Sequence, residues 1–257
     1  MWWWQGQEEP APVPVPVPAP PSPTAEAPPA AAVPAEPEVQ HPIEQVHPPS
    51  AGARQVATPL PPLDQSDQFV GQMLTGVLGR RAVQQFLRLD DVVRHVVTTV
   101  DNLPNTKASV RIWPVNPTPA NLMVDGGGDS AVLSPSNSRR YLPFVRFVEE
   151  LDTSEGVALY VELYPLFQGA YAELGYPNRY FNDRLIEVID HLLDTPQVTG
   201  PIELFRPGVM YEYADPELEA RSAGQKILIR MGSENVGRLK AKLREIRAQL
   251  SGAPVKE

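Results

Sequence analysis

Proline is concentrated at the start of this chain. Residues 1–62 hold 18 of its 31 prolines, and the remaining 195 residues hold 13. Proline fixes φ and lacks an amide donor, so a stretch this rich in it forms neither helix nor sheet, and the P-x-P-x-P run of residues 10–23 is typical of polyproline II. The change in composition predicts three parts. Residues 1–62 form a short N-terminal stub with a cluster of tryptophans and a disordered Pro-rich stalk, residues 63–251 a folded domain, and residues 252–257 a disordered tail.

The stalk begins with a cluster of three tryptophans, Trp2, Trp3 and Trp4. Such clusters are typical of a membrane–water interface, because the indole ring is apolar while its N–H group needs a polar partner. The chain contains no apolar run of about 18 residues, and its first ten residues lack the pattern of a signal peptide. We therefore expect a membrane segment upstream of Met1, which makes this a single-pass inner-membrane protein with its domain in the periplasm. If Met1 is the true start, the domain is cytoplasmic.

Three interpretations of the stalk stay open. In polyproline II, at about 3.1 Å per residue, a stalk of this length would reach roughly 180 Å, which suits a spacer. Its PxxP motifs also fit a ligand for a Pro-binding domain, although such motifs carry little specificity. The third interpretation is a linker that binds nothing.

Composition excludes several classes of function. The chain has no cysteine, which rules out disulfides, thiolate metal sites and a cysteine nucleophile. The formal charge is −9, and the stalk contributes five of those negative charges through six acids and one arginine. The folded part is thus mildly acidic, without the basic surface that nucleic acids require.

The spacing of apolar residues predicts a mainly α domain of about seven to eight helices with a small β-hairpin. Asp67 and Asp152 stand where N-caps belong, and 125–129, with three consecutive glycines, reads as the hairpin turn. A short strand is expected over 110–115, and extended pieces over 202–205 and 209–213. The predicted helices cover 67–78, 80–89, 91–101, 137–151, 153–174, 178–193, 217–231 and 233–250.

Several blocks of the folded part resemble the bacterial DUF3014 family, a domain of unknown function. They are LPPLDQSD (60–67), TVDNLP (99–104), LYPLFQGAYAELGYPNRYFNDRLIEVIDHLLDTP (163–196), YEYADPELEAR (211–221) and residues 224–250. The resemblance implies an N-terminal transmembrane segment and a Pro-rich linker before the domain, as members commonly have. It carries over no catalytic or binding residue.

The predicted helix 178–193 carries a stripe of acids. At 100° per residue these side chains fall close together, with a histidine beside them. The stripe consists of Asp183, Glu187, Asp190, His191 and Asp194. Asp183, Glu187 and His191 at i, i+4 and i+8 offer oxygen and imidazole ligands for a metal. The plainer interpretation, which we favour, is the solvated face of an amphipathic helix, with no metal and no cofactor.

A basic face on the last helix offers the acidic stripe a partner. It comprises Arg238, Lys240, Lys242, Arg244 and Arg247. Contact between the two faces, within one domain or across a homo-oligomer, would neutralise both.

A second candidate site is a group of aromatic and amide side chains around the start of the same helix. Its members are Tyr171, Tyr176, Asn178, Arg179, Tyr180 and Asn182. Such side chains line glycan or peptide grooves, but they also pack the corner between two helices.

We therefore expect a membrane-tethered cell-envelope protein that acts as a non-enzymatic binding or scaffolding module on a protein or cell-wall partner. The alternative is a metal-dependent or other hydrolase that uses the acidic stripe. A third hypothesis is a scaffold that self-associates through its charged helix faces.

Overall fold

The structure, a computed structural model, describes residues 39–47, 59–127 and 130–252. Within these ranges the chain forms nine α-helices and a small antiparallel sheet. The helices are α1 (Asp67–Leu78), α2 (Arg80–Phe86), α3 (Val92–Asn102), α4 (Leu142–Glu150), α5 (Thr153–Glu173), α6 (Phe181–Leu193), α7 (Pro216–Glu219), α8 (Ala223–Met231) and α9 (Ser233–Leu250). The strands are β1 (Val124–Gly127), β2 (Ser130–Leu133), β3 (Glu203–Phe205) and β4 (Glu212–Tyr213). The predicted mainly α fold is confirmed.

Local capping explains several helix boundaries. The Asp152 side chain accepts the Glu155 N–H group at 2.9 Å and caps α5, as predicted. The single helix predicted over 217–231 is instead two, because Ser222 caps a new helix by accepting the Gln225 N–H group.

Asp67 begins α1 but does not cap it. Its carboxylate accepts the N–H groups of Asp91 and Val92, at 2.7 and 3.2 Å. These N–H groups at the start of α3 would otherwise lack a hydrogen-bond acceptor within the helix. The predicted cap therefore serves a different helix, 25 residues further along.

Several predicted elements differ in the structure. The helix predicted over 137–151 begins as a 3-10 helix, Pro135–Tyr141, so α4 starts only at Leu142, and the helix predicted over 80–89 ends at Phe86. The strand predicted over 110–115 is wrong: Val110–Ile112 is a 3-10 helix, capped by Ser109, and only Val115 forms a β-bridge, with Leu87. Pro114, directly before Val115, has no amide donor, so the ladder cannot extend in that direction. Helix α6 starts at Phe181, three residues later than predicted, because the preceding residue is extended.

The predicted hairpin forms and is part of a four-stranded sheet. Strands β1 and β2 pair with Val124 opposite Leu133, and the order is β1-β2-β3-β4. The extended pieces predicted around 202–213 supply β3 and β4. Leu204 and Tyr213 are buried with Ile229 of α8, which joins the sheet to the helices.

The main core lies among α1, α3, α5, α6 and the end of α9, with Val97, Leu163 and Phe181 near its centre. Ile43 and Val46 belong to the same core, with only 9% and 4% of their surface exposed. Residues 39–47, which composition placed in the stalk, thus pack against the domain.

The remaining predictions for the stalk, the Trp cluster and the tail fall on 1–38, 48–58 and 253–257, which lie outside the described residues. Among the helices that the structure describes, none combines the length and apolar character needed to cross a bilayer.

Candidate functional site

The start of α6 holds a short piece of the chain's own N-terminal region. We name this piece, residues 40–46, the clasp. Asp183, in the first turn of α6, accepts the N–H group of Gln40 at 3.0 Å and that of His41 at 2.7 Å. An aspartate in this turn is also favoured by the helix dipole. The first member of the predicted acidic stripe is therefore a backbone acceptor for the clasp.

The clasp is fixed by apolar contacts as well. A 3-10 turn at Ile43–Gln45 places Ile43 and Val46 in the core. The Ile43 N–H group donates to the Tyr180 hydroxyl at 2.7 Å. Burying two aliphatic side chains contributes about 1.5–3 kcal/mol each, which makes the clasp a stable part of the fold.

Asn182 connects the clasp to two helices. It is fully buried, and its Nδ2 atom donates to the carbonyl groups of His41, at 2.9 Å, and Leu250, at 3.3 Å. Its Oδ1 atom accepts the Tyr160 hydroxyl at 3.3 Å. Burial, with smaller effects from Tyr180 and Asp183, raises the pKa of Tyr160 well above its usual value, so this hydroxyl remains a donor.

The other members of the predicted groove form the corner between α5 and α6. Tyr171 is buried and stacks on Tyr176 at 4.7 Å, and the Arg179 guanidinium lies over the Tyr176 ring. Asn178 is exposed in the turn. Of the six candidates, Tyr180 and Asn182 bind the clasp, while the rest pack or surround the turn.

The proposed metal ligands have separate partners. Glu187 is 68% exposed in its side chain and pairs with Arg184 at 3.0 Å. The His191 Nε2 atom lies 2.8 Å from the Ser222 hydroxyl, while Asp183 binds the clasp. Within the described ranges, no group of three or more His, Asp or Glu side chains could hold a metal ion.

One ion pair joins the predicted acidic stripe to the basic face of α9 within the domain. Arg247 of α9 forms a two-pronged ion pair with Asp190 of α6, and the Nη2–Oδ2 contact measures 2.8 Å. Lys240 is buried and donates to the Thr195 carbonyl at 2.6 Å. Burial, assisted by Arg244, lowers the pKa of Lys240, and Asp194 opposes this shift.

Two of the other basic residues of α9 form ion pairs elsewhere in the domain, with acids outside the stripe. Arg238 pairs with Glu234 at 2.8 Å and approaches Glu149 at 3.6 Å. Lys242 pairs with Glu245 at 2.9 Å. Arg244 is exposed.

An open cavity of about 980 Å³ lies between β2, the loop 196–202 and the α8–α9 junction. We name it the arginine cavity, after four of its lining residues: Arg139, Arg146, Arg230 and Arg238. Among the described residues, Glu234 is the only acid in the lining. Four cations and one anion line the cavity of a chain whose formal charge is −9, so positive charge is concentrated here.

The four arginines differ in how they are held. Arg230 lies over the Tyr213 ring, and its Nε atom is buried without a hydrogen bond among the described residues. Arg139 and Arg146 are exposed and bind no side chain or carbonyl group in the part of the chain that the structure describes. Sequence reasoning missed this site, because its cations come from the segment before α4, from α4, and from α8 and α9.

Comparison with known proteins gives one match. The family model described as "Protein of unknown function (DUF3014)" matches residues 92–247, from α3 to near the end of α9. No curated protein matches the chain, and no solved structure does. The matched range contains the residues of α6 that hold the clasp, and all four arginines of the cavity.

Proposed function

We propose that this chain, which belongs to the DUF3014 family of proteins of unknown function, is a non-enzymatic binding or scaffolding module of the cell envelope. In this proposal the Pro-rich stalk tethers it to the inner membrane, and the domain meets a protein or cell-wall partner in the periplasm.

The clasp is the observation that carries the proposal. Asp183, Tyr180 and Asn182 were candidates for chemistry or ligand binding, yet their polar atoms hold the chain's own residues 40–46. A tethered module needs a firm junction between stalk and domain, so that pulling on the stalk does not unravel the first helix. The clasp supports such a junction, because it is bonded and buried ahead of α1.

Sequence features support the membrane attachment. The cluster Trp2–Trp4 has the composition of an interfacial anchor, and the Pro-rich run follows it directly. At about 3.1 Å per residue in polyproline II, the 38 residues before the described segment would extend roughly 120 Å. A spacer of that reach would let the domain search a volume well away from the bilayer.

An apolar tip on the sheet supports a binding role. Phe205, Val209 and Met210, on the β3–β4 hairpin, are 39%, 82% and 72% exposed. Exposed apolar side chains gathered on one hairpin are typical of an interaction surface.

Nothing among the described residues favours the hydrolase alternative. Asp190 and Arg247 of the charged helix faces pair within one chain. A homo-oligomer that uses these faces therefore stays a prediction.

A fusion protein expressed from the native locus tests the tether. The in-frame codons upstream of Met1 are kept, and a phosphatase that folds only in the oxidising periplasm is attached after Glu257. We expect phosphatase activity, and we expect the fusion in the membrane fraction even after a high-salt wash. A fusion that is inactive and soluble, or an in-frame stop codon just before Met1, would overturn the proposal.

A further inference from the structure

We propose that the arginine cavity binds an acidic peptide segment. This inference rests on the proposed binding role and gives the chemistry of the partner. The cavity, about 980 Å³ in volume, is at the upper end of the roughly 300–1,000 Å³ that ligand sites occupy. It therefore accommodates a ligand of several residues rather than a single small ion.

Two unpaired arginines supply the charge recognition. Arg139 and Arg146 are exposed at the cavity and bind no other group among the described residues. A guanidinium presents a planar fork of donors that matches a carboxylate in a two-pronged geometry. Arg238 adds a third cation, shared with Glu234, which an incoming carboxylate can displace.

The cavity also has apolar walls. Leu133, Val198 and Ile202 line it from the sheet side, and Leu142 and Val236 from the helix side. Inorganic phosphate would leave these apolar side chains exposed to water. A peptide that alternates acidic and apolar side chains would use the arginines and the walls together.

A stretch of unpaired backbone favours a peptide over other anions. Residues 197–200 line the cavity, and their backbone N–H and C=O groups form no hydrogen bond with any described residue. Backbone groups of this kind pair with an extended peptide chain, as in recognition by strand addition. Charge, apolar walls and open backbone thus occur in one site.

Fluorescence anisotropy with the full chain tests the proposal. The probe is a labelled octapeptide of alternating Glu and Leu, and its matched control carries Gln in place of each Glu. We expect the Glu peptide to bind at least tenfold more tightly, with an affinity that falls as salt rises, because the contacts are ionic. Inorganic phosphate at the same molar concentration should not displace it.

The double variant Arg139→Gln/Arg146→Gln should weaken binding of the Glu peptide at least tenfold. The control is Arg80→Gln/Arg81→Gln, which removes the same charge from two exposed arginines at the start of α2. It should change the affinity less than twofold, and circular dichroism verifies that both variants fold.

Three results would overturn the inference: equal binding of the Gln peptide, equal loss in both variants, or full displacement by phosphate. The tether proposal is judged separately. If the peptide fails to bind while the phosphatase fusion is active and membrane-bound, the peptide inference falls and the tethered module stands.

Discussion

The Asp183 carboxylate accepts the backbone N–H group of His41 at 2.7 Å, across 142 positions of sequence. Its second oxygen accepts the N–H group of Gln40. Backbone N–H groups occur in almost every residue, so this part of the clasp is recognised by its shape rather than by its side chains. Among the described residues of the clasp, Ile43 and Val46 add side-chain contacts in the core. The clasp is therefore held both by polar groups at the start of α6 and by the apolar core.

Replacing Asp183 with Asn should loosen the clasp. Asn keeps the shape and one acceptor but loses the charge and the second acceptor, so we expect the free energy of unfolding to fall by about 1–2 kcal/mol. Urea unfolding measures this change, and limited proteolysis should reveal new cleavage between residues 36 and 50.

The control for that variant is Glu187→Gln, one helical turn further along α6. Its side chain is largely exposed and pairs only with Arg184 among the described residues. We therefore expect its replacement to lower the free energy of unfolding by less than about 0.5 kcal/mol. Equal effects of the two substitutions would mean that Asp183 does not hold the clasp.

Asn182→Ala should be more damaging. The substitution leaves the buried carbonyl groups of His41 and Leu250, and the Tyr160 hydroxyl, short of a partner. Unsatisfied buried polar groups cost about 1–3 kcal/mol each, and partial relaxation should hold the total near 2–4 kcal/mol. Urea unfolding of Asn178→Ala, which changes an exposed amide in the same corner, serves as the reference. A decrease in the free energy of unfolding below about 1 kcal/mol would show that Asn182 does not connect the clasp to α5 and α9.

The helices were predictable because their signals are local. In α5 the Asp152 cap lies three residues before Glu155, and apolar residues follow at helical spacing. The hairpin was predictable for the same reason, since its glycine turn joins two short apolar segments. Such features need only neighbouring residues to be recognised.

The clasp and the arginine cavity were not predictable, because both depend on distant parts of the chain. Ile43 lies within a Pro-rich composition, and only the folded core shows that it is buried. Asp67 has the local pattern of a cap for α1, yet its carboxylate accepts N–H groups at the start of α3. Arg139 and Arg230 are 91 positions apart, so no sequence window contains the cavity.

Gly224 should tolerate no side chain. A Cβ atom there would lie 2.6 Å from Leu192 Cδ2 and 3.2 Å from the Leu103 carbonyl oxygen. The leucine can rotate, but the carbonyl is fixed because it accepts the Gly224 N–H group at 3.0 Å. We expect Gly224→Ala to lower the free energy of unfolding by about 1–3 kcal/mol.

The matched control is Gly237→Ala in α9, where a Cβ atom would meet nothing within 4 Å. Alanine is the better helix former, so thermal unfolding should show stabilisation of about 0.5–1 kcal/mol. If both substitutions stabilise the protein, the contact between α8 and Leu103 is looser than the structure indicates.

Glu219, which binds Tyr213 of β4, should make the free energy of unfolding depend on pH in the acidic range. Lys226 Nζ lies 2.7 Å from its Oε1 atom, and the Tyr213 N–H group donates to its Oε2 atom at 3.0 Å. Burial alone would raise the pKa of Glu219, but these two hydrogen bonds and the Lys226 charge lower it below its usual value. A carboxyl whose pKa is lower in the folded state stabilises the fold above its unfolded pKa, and this contribution disappears as pH falls through the folded value.

Glu219→Gln should therefore lower the free energy of unfolding by about 1–2 kcal/mol near pH 7, where the charged hydrogen bonds are complete. Towards about pH 2 the difference from the unmodified protein should shrink, because Glu219 itself becomes neutral. Urea unfolding across this range checks the slope, with Glu217→Gln, an exposed acid on the same short helix, as the control. A difference that stays constant with pH would mean that Glu219 acts through packing, because only a titrating carboxylate loses its contribution in acid.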